Sequence, residues 1–295
     1  MLIIDAHYHL DERMEPLDVL ISGMDRHGID RVALIAGLSD PIHITGITEK
    51  LSINGRVLLG SSYSLLNKPG RLIYRNTVTS DGRFSVPGKK YAIYDNPDNA
   101  NVAQAITQYP DRFYGWIFVN PAAADPAEEI EKWSPDRSWI GVKSHPFWHR
   151  YPVRMLDDTA ALCVEKGMPL LVHLGGDMER GDFRYLPDRH PELKLIYAHG
   201  GVPFFSEVWE YCSAGNNVFL DLSSPYLDEN LRIRTVHAVG PGKCIYGTDG
   251  PYGYPDVNGL YDHGAILSEI MRLPVSDSEK ELILWKNFHD IAGIP

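Results

Sequence analysis

Cysteine is scarce in this chain of 295 residues, which contains three: Cys163, Cys212 and Cys244. Because they are widely spaced and odd in number, they supply neither a disulfide framework nor a CxxC metal site, and we expect reduced, mostly buried thiols. Long apolar runs are absent as well, since no stretch approaches the roughly 20 residues that span a bilayer and no basic segment precedes the first apolar run. These absences predict a cytoplasmic protein that does not bind a membrane.

Positively charged residues are fewer than negatively charged ones. Lysine and arginine number 28 against 39 aspartate and glutamate residues, and the net charge is −11. Phosphate binding requires a clustered basic surface, so this balance argues against nucleic acid as a partner and leaves a small molecule as the expected ligand. Hydrophobic residues at 44% and charged residues at 23% are typical of an ordinary globular protein.

The chain does contain a regular alternation of short β-forming runs and helical patterns. Continuous apolar strands that alternate with helices are typical of a parallel sheet covered on both faces. Eight such runs occur, at residues 2–7, 31–37, 113–120, 139–143, 169–173, 193–199, 217–222 and 243–249. Eight parallel strands and eight helices in a single domain, residues 1–295, predict an α/β fold of the (β/α)8 TIM-barrel type.

One long segment interrupts this alternation. Residues 40–98 separate the second strand from the next helix, and within them the sequence TSDGRFSVPGKKY places a turn signal between two short extended runs, which predicts a hairpin. A loop this long is usually functional, so we expect a lid or a dimer contact over the barrel mouth, the alternative being an insertion away from the site. A doubly wound open sheet is the alternative fold, although no GxGxxG pattern follows the first strand.

Ionisable side chains follow the predicted strands at the point where each strand ends. His7 and His9 end the first strand, and because side chains alternate along a strand, both point to one face, as a metal chelate requires. Any one of the strand-end side chains, taken alone, is more often a hydrogen-bonded core or loop residue than a metal ligand. Together they place five of the twelve histidines on the rim that carries catalytic groups in a barrel, beside Lys143 and Asp249, the histidines being His7, His9, His145, His173 and His199. Imidazole and carboxylate together suit zinc and similar divalent ions.

The order of these motifs resembles the amidohydrolase superfamily. The matching segments are DAHYH, GVKSHP, LLVHLGG, IYAHGG, IYGTDGPYG and the terminal NFHDIAGI. They are similar to the branch that includes aminocarboxymuconate-semialdehyde decarboxylase and many small metal-dependent hydrolases. The resemblance extends over nearly the whole chain except residues 40–98. It is specific for the superfamily and poorly specific for the reaction.

The resemblance implies a set of site residues. It makes His7, His9, His173 and Asp249 the ligands of one divalent ion, with zinc favoured over manganese or cobalt. Asp249 would also move the proton of the attacking water, and His199 would donate a hydrogen bond to the substrate oxygen. In two-metal members a lysine in the position of Lys143 is carbamylated, whereas in the one-metal branch Lys143 or His145 would meet a substrate anion, which we favour. Apart from the resemblance, four residues just after strands four, seven and eight are candidates to line the pocket, the alternative for each being ordinary loop chemistry: Arg150, Ser223, Ser224 and Tyr252.

Three functions are compatible with this pattern. The first is a metal-dependent hydrolase that attacks a small, carboxylated amide, lactone or ester with a metal-activated water. The second is a non-oxidative decarboxylase on the same scaffold. The third is a binding or scaffold protein, which the complete ligand set argues against. The sequence leaves a homodimer, the substrate and the identity of the metal open.

Overall fold

The computed structural model of the protein describes residues 1–42, 55–60, 64–255 and 259–294. Its strands, in chain order, are β1 (Ile4–Leu10), β2 (Arg31–Ala36), β3 (Arg83–Val86), β4 (Lys89–Ala92), β5 (Phe113–Phe118), β6 (Trp139–Ser144), β7 (Leu170–Val172), β8 (Leu195–Tyr197), β9 (Val218–Asp221) and β10 (Cys244–Ile245). All except β3 and β4 form one parallel sheet, whose neighbours follow the order of the chain.

The sheet closes on itself between β10 and β1. Ala6 donates its backbone N–H to the Tyr246 carbonyl at 3.0 Å, and His9 donates to Gly250 at 2.6 Å. Tyr8 and Gly250 also form a parallel bridge. The predicted eight-stranded barrel is therefore confirmed, and the open-sheet alternative is wrong. Since all eight strands are parallel, their carboxyl ends meet at one mouth.

Helices surround the barrel. They are α1 (Leu17–His27), α2 (Ser64–Arg75), α3 (Asn99–Gln108), α4 (Pro126–Trp133), α5 (Pro146–His149), α6 (Asp157–Lys166), α7 (Tyr185–Arg189), α8 (Phe205–Ser213), α9 (Glu229–Val239), α10 (Gly264–Met271), α11 (Asp277–Glu281) and α12 (Asn287–Ala292), and a π-helical turn, Leu282–Lys286, joins the last two. The helix α1 shows why these segments fold: Leu20 and Met24 bury one face, and Gly28 ends the helix at φ 68°.

The barrel interior is filled by large apolar side chains. Trp116 on β5 is fully buried and donates its indole N–H to the Ala6 carbonyl of β1 at 2.9 Å. Gly141 on the neighbouring β6 makes room for it, because a Cβ there would collide with the Trp116 ring. The three cysteines are free and buried, as predicted. Across the described residues, we find no helix long and apolar enough to cross a membrane.

The segment between β2 and α3 carries the predicted hairpin. The strands β3 and β4 pair antiparallel, Phe84 lies opposite Tyr91, and the ring of Trp148, which follows β6, lies 5.5 Å from that of Phe84. The hairpin thus packs against α5, the short helix that follows β6. The predicted lid also includes residues 43–54 and 61–63, which lie outside the described residues.

Candidate metal-binding active site

A group of ionisable side chains lies at the carboxyl ends of the barrel strands. The parallel strands bring them together from distant parts of the chain, and burial removes them from bulk water. Its members are His7, His9, Lys143, His145, His173, His199, Asp221 and Asp249, all of them buried.

His7, His9 and Asp249 form the centre of the group. The Nε2 atoms of His7 and His9 each lie 3.4 Å from Oδ1 of Asp249. Two atoms bound to one ion at about 2.1 Å with a tetrahedral angle would lie about 3.4 Å apart. The spacing of these three side chains therefore fits the ligands of a single divalent ion, and their ligand atoms lie within 4.8 Å of one another.

The outer ring nitrogens of His7 and His9 fix the direction of their lone pairs. Nδ1 of His7 donates to the Asp221 carboxylate at 2.8 Å, and Nδ1 of His9 faces the Ala36 carbonyl at 3.4 Å. Each Nε2 atom therefore carries a lone pair that faces the Asp249 carboxylate, and within the described residues Nε2 of His7 has no hydrogen-bond partner. Acceptors that face an anion repel one another unless a cation lies between them.

His173 and His199 form a second pair of imidazoles whose outer nitrogens are held by neighbouring hydroxyls. Nε2 of His173 lies 2.8 Å from the Tyr74 hydroxyl, and Nδ1 of His199 lies 2.8 Å from Oγ of Ser223. The remaining nitrogens, Nδ1 of His173 and Nε2 of His199, face each other at 3.1 Å. Nε2 of His199 also lies 3.8 Å from Oδ2 of Asp249.

The Ser223 hydroxyl determines which nitrogen of His199 carries the proton. Oγ of Ser223 donates its single hydrogen to the Asp221 carboxylate, so it accepts a hydrogen bond from Nδ1–H of His199. Nε2 of neutral His199 is then an acceptor. To donate a hydrogen bond to a substrate oxygen, as the resemblance implies, His199 would first have to gain a proton. The neutral ring fits the role of a proton acceptor instead.

Burial keeps the inward histidines neutral. Burial lowers the pKa of His199 to about 4, although the charges of Asp249 and Asp221 partly oppose the shift. Burial, followed by the charge of His199, holds the pKa of His173 well below its usual range. The Asp249 carboxyl behaves differently: burial would raise its pKa, but His199 and His9, which carry protons in acid, outweigh this and hold the pKa well below the usual range. Neutral imidazoles and an ionised carboxylate are the forms that bind metal ions.

The backbone is unusual at two of these residues. His199 (φ 54°) and Asp249 (φ 60°) both adopt the left-handed conformation, which residues with a side chain rarely occupy. The backbone N–H of Asp249 is held by the His7 carbonyl at 2.7 Å. Such conformations persist where the surrounding structure enforces them, and they occur most often at functional sites.

Lys143 and His145 lie beside the histidines. Lys143 is fully buried, and among the described residues its Nζ has no hydrogen-bond partner. Burial lowers its pKa to about 8, against the pull of Asp221 and Asp249. Nδ1 of His145 accepts a bond from the Trp148 backbone at 3.1 Å, so Nε2 carries the hydrogen and is the donor that remains. Its ring stacks on His173 at 4.1 Å.

The other predicted pocket residues differ in position. The Tyr252 ring lies 5.5 Å from His9, next to the site. Ser223 is engaged with His199 and Asp221, so its hydroxyl positions other side chains. The Arg150 side chain turns away and donates to the Ser80 carbonyl near the hairpin, so the structure does not bring it together with the histidines.

Sequence reasoning missed two residues that hold the histidines. Asp221 ends β9 at the same rim as the predicted residues, so an acidic residue at a strand end was a usable signal. Tyr74 comes from α2, inside the segment 40–98, and no motif marks it. Its contact with His173 joins residues 99 positions apart in the chain.

Comparisons with known proteins identify the fold and a family. A sequence model of the family described as Amidohydrolase matches residues 83–287, more than two thirds of the chain. None of the curated proteins matches. The structure is similar to an uncharacterised TIM-barrel protein from Bordetella bronchiseptica, with 16% identity, a TM-score of 0.65, and 99% of this chain and 100% of that chain covered.

Two similar solved structures come from proteins with named activities. One is a probable 2-pyrone-4,6-dicarboxylic acid hydrolase from Acinetobacter baumannii with citric acid bound, at 14% identity and a TM-score of 0.62 over 100% of both chains. The other is a 5-carboxyvanillate decarboxylase from Novosphingobium aromaticivorans with bound manganese, at 15% identity and a TM-score of 0.62, covering 99% of this chain and 97% of that chain. At these identities the likeness shows the fold.

Proposed function

The chain belongs to the amidohydrolase family of enzymes, and from this premise we propose that it is a metal-dependent hydrolase that cleaves a small, carboxylated amide, lactone or ester. One observation carries the proposal. At the barrel mouth Nε2 of His7 and Nε2 of His9 each lie 3.4 Å from Oδ1 of Asp249, while Nδ1 of each histidine is already held by another group. A cation is the group that would stabilise this arrangement.

We propose that the ion is held by Nε2 of His7, Nε2 of His9, Nδ1 of His173 and a carboxylate oxygen of Asp249. When bound, a divalent ion lowers the pKa of water toward neutrality and polarises a carbonyl oxygen. Zinc suits three imidazoles and one carboxylate, while manganese or cobalt share these ligands. The manganese in the decarboxylase structure keeps that alternative open.

The two oxygens of Asp249 support a division of roles. Oδ1 faces His7 and His9, whereas Oδ2 lies 3.8 Å from Nε2 of His199. In the proposed reaction, Asp249 and His199 accept the hydrogen bonds of the attacking water. Asp249 takes one proton as the oxygen attacks the carbonyl carbon, and then gives it to the leaving nitrogen or oxygen as that bond breaks.

A carboxylated substrate is supported by the donors beside the proposed ion. Lys143 offers a buried ammonium without a partner among the described residues, and Nε2–H of His145 is a neutral donor. A buried cation is stabilised when an anion arrives, so we propose that the substrate carboxylate binds Lys143. Tyr252 would line the same pocket. In the alternative two-metal arrangement, Lys143 would be carbamylated and the intact mass would carry a labile CO₂ adduct.

A non-oxidative decarboxylase is the second candidate. It is favoured by the similarity to a decarboxylase structure over almost the whole of both chains. In that reaction the carbon–carboxylate bond would break and a protonated Asp249 or His199 would supply a proton to the carbon. The same residues would thus donate a proton as general acids, whereas in hydrolysis they first accept one.

One experiment separates the two functions. Metal-reconstituted protein would be incubated with lactones, N-acyl compounds and aromatic carboxylates, while acid release and CO₂ release are measured in parallel. We expect acid release from a carboxylated lactone, ester or amide without CO₂. CO₂ release from an aromatic carboxylate would instead establish the decarboxylase, and the metal-free protein is the matched control in either case.

A further inference from the structure

We propose that Tyr74 is a positioning residue of the metal site: its hydroxyl sets the tautomer of His173 and so the affinity of the site for its ion. The inference rests on the proposed function, because it assumes that Nδ1 of His173 binds the ion. It assigns a role to the segment between β2 and α3, which carries Tyr74. Through Tyr74, the helix α2 would take part in holding a metal ligand.

The proton arrangement follows from two contacts of one hydroxyl. Oη of Tyr74 lies 2.8 Å from the Leu174 carbonyl and 2.8 Å from Nε2 of His173. A carbonyl only accepts, so the single hydrogen of Tyr74 goes to Leu174. Both bonds form at once only when Nε2 of His173 carries the imidazole hydrogen and donates it to Tyr74. Nδ1 of His173 is then left as a lone pair that points into the site.

The Tyr74 ring is held by its neighbours, so the hydroxyl cannot easily leave this position. The side chain is 3% exposed, and its ring stacks on Phe147 at 4.2 Å with an angle of 16° between the planes. The Tyr226 ring packs against its edge at 5.6 Å. This packing involves the ring alone and would remain in a phenylalanine variant.

The helix α2 is itself fixed to the barrel. Arg71 pairs with Glu207 of α8 at 2.6 Å, and its guanidinium lies 4.8 Å from the Phe204 ring. Near Tyr74, a Cβ at Gly176 would lie 2.9 Å from Arg75, so the loop after β7 and α2 pack closely. The position of Tyr74 is thus set from both sides, by α2 and by the loop that contains Leu174.

Loss of the hydroxyl has a specific consequence. Without Tyr74 Oη, His173 can place its hydrogen on Nδ1, the atom that faces Nε2 of His199 at 3.1 Å. That hydrogen must then leave Nδ1 before an ion binds, and the ring is less restrained. Removing the outer hydrogen-bond partner of a metal-bound histidine typically weakens metal affinity about 10- to 100-fold.

The test is the variant Tyr74→Phe, with Tyr197→Phe as the matched control. Tyr197 is also fully buried and its hydroxyl also donates to a carbonyl, that of Phe183 at 2.5 Å, so its loss matches the lost hydrogen bond. Zinc affinity of the full-length, metal-depleted chains would be measured by competition with a chelating dye. We expect about 10- to 100-fold weaker binding in Tyr74→Phe and a change of less than about 2-fold in Tyr197→Phe.

Two further measurements exclude a merely structural effect. With saturating metal, Tyr74→Phe should recover most of the wild-type kcat, and cobalt loaded into the variant should show an altered visible spectrum. If Tyr74→Phe does not fold, imidazole nitrogen NMR of the wild-type chain decides: the hydrogen of His173 should be on Nε2, and a hydrogen on Nδ1 would overturn the proposal. Wild-type zinc affinity in Tyr74→Phe would overturn this inference alone, whereas a wild-type chain that binds no ion would overturn the proposed function.

Discussion

Two buried polar clusters lie on opposite faces of β1, and they differ in whether their acceptors are matched by donors. His7 and His9 point into the barrel mouth, while Tyr8, between them, points the other way. There Tyr8 donates its hydroxyl to Glu15, and Nε2 of His263 lies 3.1 Å from both oxygens of the same carboxylate. The Glu15 carboxylate thus accepts hydrogen bonds from Tyr8 and from His263. Both clusters combine histidine with a carboxylate, and both are buried.

The difference lies in how donors and acceptors are matched. In the Tyr8, Glu15 and His263 cluster, the buried carboxylate is satisfied by protein donors, so no ion is needed. At the barrel mouth, Nδ1 of His7 donates its hydrogen to Asp221, so Nε2 of His7 is an acceptor. This Nε2 faces the Asp249 carboxylate, which is an acceptor as well. Burial and residue type are alike in the two places. What distinguishes the barrel mouth, where we propose the functional site, is that imidazole acceptors there face a carboxylate.

Asp249→Asn, which changes the cluster at the barrel mouth, should produce the largest effect on activity. The amide still offers an oxygen to the ion but cannot accept a proton, while three imidazoles remain. We expect kcat to fall about 10²- to 10⁴-fold, with most of the metal retained. Steady-state kinetics and elemental analysis of the same preparation would check this. Near-wild-type kcat in the Asp249→Asn variant would place the base elsewhere.

Asp221→Asn should have the next largest effect. The Asp221 carboxylate accepts from Nδ1 of His7 at 2.8 Å and thereby keeps the lone pair of Nε2 directed at the site. An amide can present its NH₂ group and reverse the tautomer, so we expect metal affinity to weaken about 10- to 100-fold. Competition titration with a chelating dye measures it. Unchanged affinity would show that the outer bond of His7 does not matter.

Lys143→Met should weaken substrate binding and leave the metal content unchanged. Loss of one charge-assisted hydrogen bond to a substrate carboxylate should raise KM about 10-fold, with metal content unchanged. Lys143 is an ammonium below its pKa of about 8, so wild-type kcat/KM should fall as the pH rises through this value. A bound metal ion nearby would lower the pKa of Lys143 and shift this decline to lower pH. This decline should be missing in the variant. Loss of metal in Lys143→Met would favour the carbamylated, two-metal site.

Glu15→Gln should have the smallest effect on activity. It neutralises a buried carboxylate next to β1, but one whose oxygens already accept hydrogen bonds from Tyr8 and His263. We expect kcat and metal content to change less than about 2-fold, while the free energy of unfolding falls by about 1–3 kcal/mol. Thermal melting and kinetics measured side by side would check it. A large loss of metal in this variant would remove the distinction between the two clusters.

The barrel could be predicted from the sequence, as could the location of most candidate-site residues at its mouth. The eight strands, the hairpin and the family are confirmed, because apolar runs and strand-end motifs are local signals. Asp221 and Tyr74 were missed, since a residue that holds a ligand through one hydrogen bond needs no particular motif. The donor role expected for His199 could not be checked in the sequence, because its tautomer depends on Ser223, which only the fold brings near.

The most direct test of the account is the metal content of the protein purified without chelators. Elemental analysis should find about one divalent ion per chain in the wild-type protein and in Glu15→Gln. His7→Ala and His173→Ala, which each remove a proposed ligand, should contain far less. A wild-type protein that is active without any bound ion, or ligand variants that keep a full equivalent, would contradict the assignment of the barrel mouth as a metal site.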